Sequence, residues 1–369
     1  MEIEKLKSLI KINSVAVNTS TSGFYDFIVS HRDPDLFFEN PDEIFFPNEL
    51  LREKVKKYVN DAMNFNADKE LEECDRLCIR IITCLDDDYP EEFKNISNPP
   101  LLVYCLGKLG KRLSVSIVGT RHPTDYGIRH ASRISSDLAK AGICVVSGLA
   151  RGIDTVVHKS VLKVKGITWA VIGSGLKKIY PAENRALVDK IVENGGCVIS
   201  EYPLNTSPFK FNFPRRNRLI SALSFGTLVI EGDYSSGALI TARYAVEQGK
   251  EVMALPGCVD SRQSNGPNKL IKEGAYPIRN ALDVIDLIPP SQLFEIDINR
   301  LKEEKAQKTI NMSDGAARIY TLLKEKGEMS MDEISEFCSM NVNEIFGYLF
   351  ELETAGAVEA RGGKYRTSI

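Results

Sequence analysis

Residues 113–152 read LSVSIVGTRHPTDYGIRHASRISSDLAKAGICVVSGLARG. A β-branched run from Val115 to Gly119 gives way to a polar turn, then to an amphipathic run from Tyr126 to Ala141, then to a second apolar run from Cys144 to Ser147. The periodicity is that of strand, helix, strand. Beyond this stretch, further strand-like runs fall at Thr168 to Gly173, Cys197 to Glu201, Thr227 to Glu231 and Glu251 to Leu255, with helical runs at Ile153 to Lys165, Glu183 to Asn194, Arg216 to Leu223 and Gly237 to Gln248. This alternation predicts an α/β fold: a Rossmann-like doubly wound parallel sheet with helices on both faces.

The rest of the chain divides around that core. Residues 1–75 read as a small N-terminal helical domain, with LLREKVKKYVNDAM its clearest amphipathic stretch, and a strand at Ile79 to Thr83 opens the Rossmann-like domain, 76–290. Residues 291–312 are polar and charge-mixed, as a linker is. Residues 313–369 hold helical runs at Asp314 to Lys326, Ser330 to Cys338 and Val342 to Gly356, then a hairpin turning at Gly362 and Gly363, which predicts a winged-helix domain.

At 369 residues with 43% hydrophobic and 26% charged, the composition excludes a disordered, collagenous or disulfide-stapled chain. The first twenty residues carry both charge signs without an apolar block, and no run of eighteen apolar residues occurs, so neither a secretory signal nor a membrane span is expected. The eight cysteines are scattered with no CxxC pair and read as reduced thiols of a cytoplasmic protein; Cys74, Cys78 and Cys84 read as packing residues. The net charge of −3 conceals a segregation. Residues 1–100 hold 12 Lys+Arg against 21 Asp+Glu, residues 101–290 hold 25 against 15, and residues 291–369 hold 10 against 14. A basic middle between acidic ends calls for an anionic partner.

In an open parallel sheet, ligands bind beyond the carboxyl ends of the strands. The residues there repeat one chemistry: Gly119, Thr120 and Arg121; Ser147, Gly148 and Arg151; Gly173 in a GSG turn; and Ser235, Ser236 and Gly237 just before a helix. Glycines admit close approach, helix N-termini aim unpaired N–H groups, and hydroxyls add donors, so these loops predict a surface for several phosphates. Arg215, Arg216 and Arg218, with Asn217 among them, crowd into FNFPRRNRLI. Phe209, Phe211 and Phe213 alternate with Lys210 and Asn212 just before. Rings interleaved with cations suit single-stranded nucleic acid, whose bases stack while its backbone follows a basic groove. Neither GxGxxG after the first strand nor a Walker loop is present, and no cofactor or metal is expected. Asp154 and His158 share a helix face, and Glu201 and Glu231 end strands, but none has a nucleophile beside it.

The segments SIVGTRHPTDYG, VVSGLARGIDTVVHKSVL, AVIGSGLKKIYPAENRAL, ISEYPLNTSP, NFPRRNRLISALS, GTLVIEGDYSSGALITARYAVEQGKEVMALPG and SNGPNKLIKEGA, in order over about Ile79 to Leu287, resemble the successive motifs of the DprA (Smf) family of DNA-processing proteins. The tail DEISEFCSMNVNEIFGYLFELETAGAVEARGGKYR is similar to the winged helix that ends many members. The resemblance implies a non-catalytic protein that binds single-stranded DNA, forms homodimers, and loads the RecA recombinase during natural transformation. It implies DNA contacts at Arg121, Lys177, Lys178, Arg215, Arg216 and Arg218. Two departures stand out: Ser235 replaces a basic residue found in many members, and residues 1–75 lack the glycine-bearing helix-hairpin-helix pattern. A second class of function, a phosphoribohydrolase-like enzyme on nucleoside monophosphates with Glu231 or Asp154 as acid or base, would require a PGGxGT loop that the chain lacks.

Overall fold

The computed structural model describes residues 2–19, 21–41, 54–290, 292, 312–354 and 356–367. The chain forms two compact units, Met1–Ile296 and Asp297–Ile369. Apart from Gln292 and Met312, the predicted linker lies outside the described residues. Among the described residues, no helix is long and apolar enough to cross a membrane.

The first unit is built on nine strands: β1 (Ile79–Thr83), β2 (Leu102–Gly107), β3 (Ser114–Val118), β4 (Cys144–Ser147), β5 (Thr168–Val171), β6 (Cys197–Ser200), β7 (Gly226–Val229), β8 (Glu251–Ala254) and β9 (Tyr276–Pro277). They lie in the order β1-β2-β6-β5-β4-β3-β7-β8-β9. From β6 to β9 every neighbour is parallel, whereas β2 runs antiparallel to both β6 and β1. The parallel strands are buried on both faces, which is why they read as near-continuous β-branched runs. Serine is tolerated in β3 because its hydroxyls are paired: Ser114 donates to the Leu223 carbonyl, and Ser116 Oγ lies 2.7 Å from Thr227 Oγ1.

Helices cover the crossovers. Asp125–Lys140 begins at Thr124, whose hydroxyl accepts from the Gly127 amide at 3.3 Å, and it buries Ala131, Ile134 and Leu138 on one face. The N-terminal helices Ile3–Ala16, Ser22–His31, Val55–Met63 and Ala67–Arg76 pack into the core of the same unit, where Leu9, Ile10, Phe24 and Ile28 share one cluster with Val103, Trp169 and Val198. Asn13 Nδ2 donates to the Glu201 carbonyl at 2.9 Å, and the Leu204 amide donates to Glu70 Oε1 at 2.7 Å. The boundary expected near residue 75 therefore falls inside this unit.

The second unit runs helix Asp314–Lys326, β10 (Met329–Ser330), helix Met331–Cys338, helix Val342–Thr354, β11 (Val358–Arg361) and β12 (Lys364–Thr367), with sheet order β10-β12-β11. Its core is Ile319, Leu323, Ile334, Ile345, Leu349, Leu352 and Val358. A capping box between Ser330 and Glu333 opens its second helix.

Candidate nucleic-acid interface

The strand order reverses between β3 and β7, the position where open parallel sheets place their ligands, and the segments that leave these two strands are bonded to each other. The Thr120 amide donates to the Glu231 carbonyl at 2.8 Å, and the Glu231 carboxylate accepts from the Thr124 amide at 2.9 Å and hydroxyl at 2.5 Å. Glu231 thus fixes the loop bearing Gly119, Thr120 and Arg121. A Cβ on Gly127 would lie 2.3 Å from Glu231 Oε2, so glycine is what lets the helix start against this carboxylate. After β7, Ser236 caps helix Gly237–Glu247, while Ser235 and Gly237 are exposed. Asp233 is bound by Arg262 at 2.6 Å and Asn265 at 3.1 Å, and these bonds hold its carboxyl down at about 2.

The loop after β4 points inward. Ser147 Oγ donates to the Ile117 carbonyl at 2.7 Å, and Gly148 sits where a Cβ would lie 2.7 Å from both Arg216 Nη2 and Asp154 Oδ2. Arg216 is buried and donates to the carbonyls of Gly148, at 2.7 Å, and Val171, tying the ends of β4 and β5 together. Burial opposes both charges, raising the Asp154 carboxyl and lowering Arg216 to about 10, which leaves the guanidinium protonated at neutral pH. His158 is also fully buried, its Nδ1 lying 2.8 Å from Thr168 Oγ1. Because that hydroxyl donates to the Val145 carbonyl at 2.6 Å, it accepts from Nδ1–H, so the imidazole is the neutral Nδ1–H tautomer, and burial lowers its pKa to about 3. Asp154 Oδ2 accepts from the Ala150 amide at 3.3 Å, so Asp154 and His158 have separate structural partners.

The RRNR segment lies in helix Asn212–Ala222, with Pro214 in the first turn, where its missing N–H leaves no gap. Arg218 forms a buried bidentate pair with Glu201, 2.9 and 2.5 Å, and its Nε donates to the Asn98 carbonyl at 2.8 Å. Asn217 Nδ2 donates to the Gly237 carbonyl at 3.2 Å. Burial separates Arg216, Asn217 and Arg218 from Arg215, which is half-buried, donates to the Val17 carbonyl at 3.0 Å and stands 5.9 Å from the Phe211 ring centroid. Lys177 is engaged by Glu73.

What remains at the surface is a run of rings and cations. Phe209 and Phe211 are each about half exposed and stack with centroids 5.5 Å apart and planes within 3°. Lys210 between them is exposed, as is Lys178. Arg121 is exposed and lies 5.5 Å from the Phe213 centroid; Phe213 packs 5.7 Å from Tyr180. Gly173 makes room for that ring, since a Cβ there would lie 3.1 Å from Phe213 Cδ1. Arg151 stands 5.8 Å from the Tyr180 centroid and is exposed, but it is held by Glu183 through bonds of 2.5 and 3.1 Å. Tyr180 escaped the sequence reading; an aromatic two residues after Lys177-Lys178 was the available signal. Among the described residues, no group of three or more His, Cys, Asp or Glu is placed to hold a metal.

A family model described as DNA recombination-mediator protein A matches residues 80–289. Protein Smf of Synechocystis is 44% identical over 230 residues, which cover 61% of this chain and 58% of that relative's own length. The X-ray structure of DNA processing protein A from Streptococcus pneumoniae superposes with a TM-score of 0.67 at 30% identity, covering 78% of this chain and 99% of that one. A structure concerned with the single-stranded DNA binding mode of DNA processing protein A from Helicobacter pylori gives a TM-score of 0.52 at 31% identity, covering 59% and 97%. With a family model over more than half its length and the matching mostly parallel sheet, this chain belongs to the DNA recombination-mediator protein A family.

Proposed function

We propose that the chain is a cytoplasmic recombination mediator that binds single-stranded DNA along the carboxyl edge of its parallel sheet, protects it, and as a homodimer hands it to the RecA recombinase. The observation that carries this reading is the stacked, half-exposed pair Phe209 and Phe211 with Lys210 between them and Arg215 beside them. Exposed parallel rings offer bases a stacking surface, and neighbouring cations take the phosphates. The phosphate contacts fall to Arg121, Lys178, Lys210 and Arg215, whereas Arg216, Asn217, Arg218 and Ser147 act from within by holding the loops in place. The C-terminal unit is read as a winged helix that does not grip DNA, because helix Val342–Thr354 carries no Lys or Arg.

The test is the salt dependence of oligo-dT binding. Four cations on a single strand give a slope of log K against log salt of roughly −3, at about −0.7 per neutralised phosphate. A slope near zero would remove the basic edge as the site.

A further inference from the structure

The C-terminal unit leaves one of its helices apolar on two sides. Ile345, Leu349 and Leu352 of helix Val342–Thr354 face the core of the unit. Val342, Phe346 and Phe350 form a second stripe at i, i+4 and i+8, exposed by 47%, 59% and 63%, and Phe337 on the preceding helix is 59% exposed. A helix packed only within its unit requires one apolar face, so the second marks a contact surface.

Charge decides what it contacts. Helices Met331–Cys338 and Val342–Thr354 carry Asp332, Glu333, Glu336, Glu344, Glu351 and Glu353, and no Lys or Arg. Glu333, Glu344 and Glu351 bond locally to Ser330, Asn341 and Ser313, while Asp332, Glu336 and Glu353 form no ion pair among the described residues. Phosphate would meet the six carboxylates of these two helices, which carry no cation of their own to offset them. A second copy in isologous contact would bring the same six acids against six. Lys326, whose ammonium lies 5.5 Å from the Phe337 centroid, shows the chemistry the surface accepts: cation and hydrocarbon together.

We propose that the Val342, Phe346 and Phe350 face docks an amphipathic helix of another protein, with apolar residues at helical spacing flanked by Lys and Arg. The full chain is titrated by fluorescence anisotropy against a labelled helical peptide of about 18 residues, Leu on one face and Lys on the flanks, and against its twin with Glu for Lys. The Lys peptide binds and weakens with salt, the Glu peptide binds at least tenfold more weakly, and Phe346→Ser with Phe350→Ser costs the Lys peptide about tenfold or more. The reversal Glu336→Lys with Glu353→Lys weakens the Lys peptide and strengthens the Glu twin, a result that loss of folding would not produce. Equal binding of the two peptides, or an unchanged affinity in both variants, overturns the proposal. It is equally overturned if sedimentation shows self-association that Phe346→Ser with Phe350→Ser abolishes, which would assign the face to a second copy, or if those substitutions abolish duplex DNA binding, which would assign it to DNA.

Discussion

Arg218→Ala separates a supporting arginine from a DNA-touching one. Arg218 and Glu201 are both buried, and the two bonds of 2.9 and 2.5 Å between them are joined by a third from Arg218 Nε to Asn98. Removing the guanidinium leaves a carboxylate with no solvent and no counter-charge, a change that costs about 3–5 kcal/mol in buried pairs. For a unit the length of Met1–Ile296, about 2.1 cal/mol/K per residue gives an unfolding entropy of roughly 0.6 kcal/mol/K, so the midpoint falls by about 5–8 °C. Calorimetry measures this, and anisotropy at a temperature where the variant is folded measures DNA binding. The expected outcome is a large loss of stability with oligo-dT affinity within about twofold of the parent, against a loss of 1–3 kcal/mol of affinity for Arg121→Ala. A variant of Arg218 that keeps its midpoint but loses DNA would refute the assignment of this arginine to the interior.

Three further outcomes are expected. Lys178→Ala and Arg121→Ala should each flatten the salt slope by roughly 0.7, whereas Arg216→Ala should destabilise the fold; equal slopes in all three variants would contradict the division between exposed and buried cations. His158 is neutral in the fold with a pKa of about 3, so the unfolded chain binds the extra proton between that value and its own pKa, and stability falls as pH drops through 6.5. At pH 5 this amounts to about 2 kcal/mol, and His158→Gln should lose that part of the pH dependence of the midpoint; an unchanged dependence would mean the imidazole is not held neutral. Truncation after Ile296 should leave oligo-dT affinity within about threefold, and a loss beyond tenfold in a dimer-competent protein would return DNA contact to the C-terminal unit.

The parallel part of the fold is legible because fully buried strands must be apolar throughout and the helices between them amphipathic. The structure gives strands within one or two residues of those expected at Val115, Cys144, Thr168, Cys197, Thr227 and Glu251. β2, LVYCLG, was missed: it follows Pro99-Pro100 and belongs to no strand-helix alternation, because it inserts antiparallel beside β6. The N-terminal helices show in their sequence that one face is covered, but not that β2, about ninety residues further along the chain, packs against the first of them. At the site, residue type was legible and accessibility was not. Arg216 and Arg218 look like Arg121 in one dimension, and the groups they bond lie far along the chain: the Gly148 and Val171 carbonyls, 68 and 45 residues from Arg216, and the Glu201 carboxylate, 17 residues from Arg218. A signal did exist: Leu219, Ile220, Ser221, Ala222 and Leu223, which follow the arginines at the end of the same helix, include no charged residue, which marks that end as interior.

The proposed function requires bases to stack on the exposed phenylalanines at the carboxyl edge of the sheet. Its most direct measurement is a fluorescence titration of labelled oligo-dT, and of duplex of equal length, with the parent chain and with Phe209→Ala/Phe211→Ala. Each stacked base is worth about 1–3 kcal/mol, so the double variant should bind oligo-dT at least fivefold more weakly, with the salt slope unchanged and the parent's preference for single strands over duplex reduced. A folded double variant that binds oligo-dT as the parent does, with the same preference over duplex, would contradict the account.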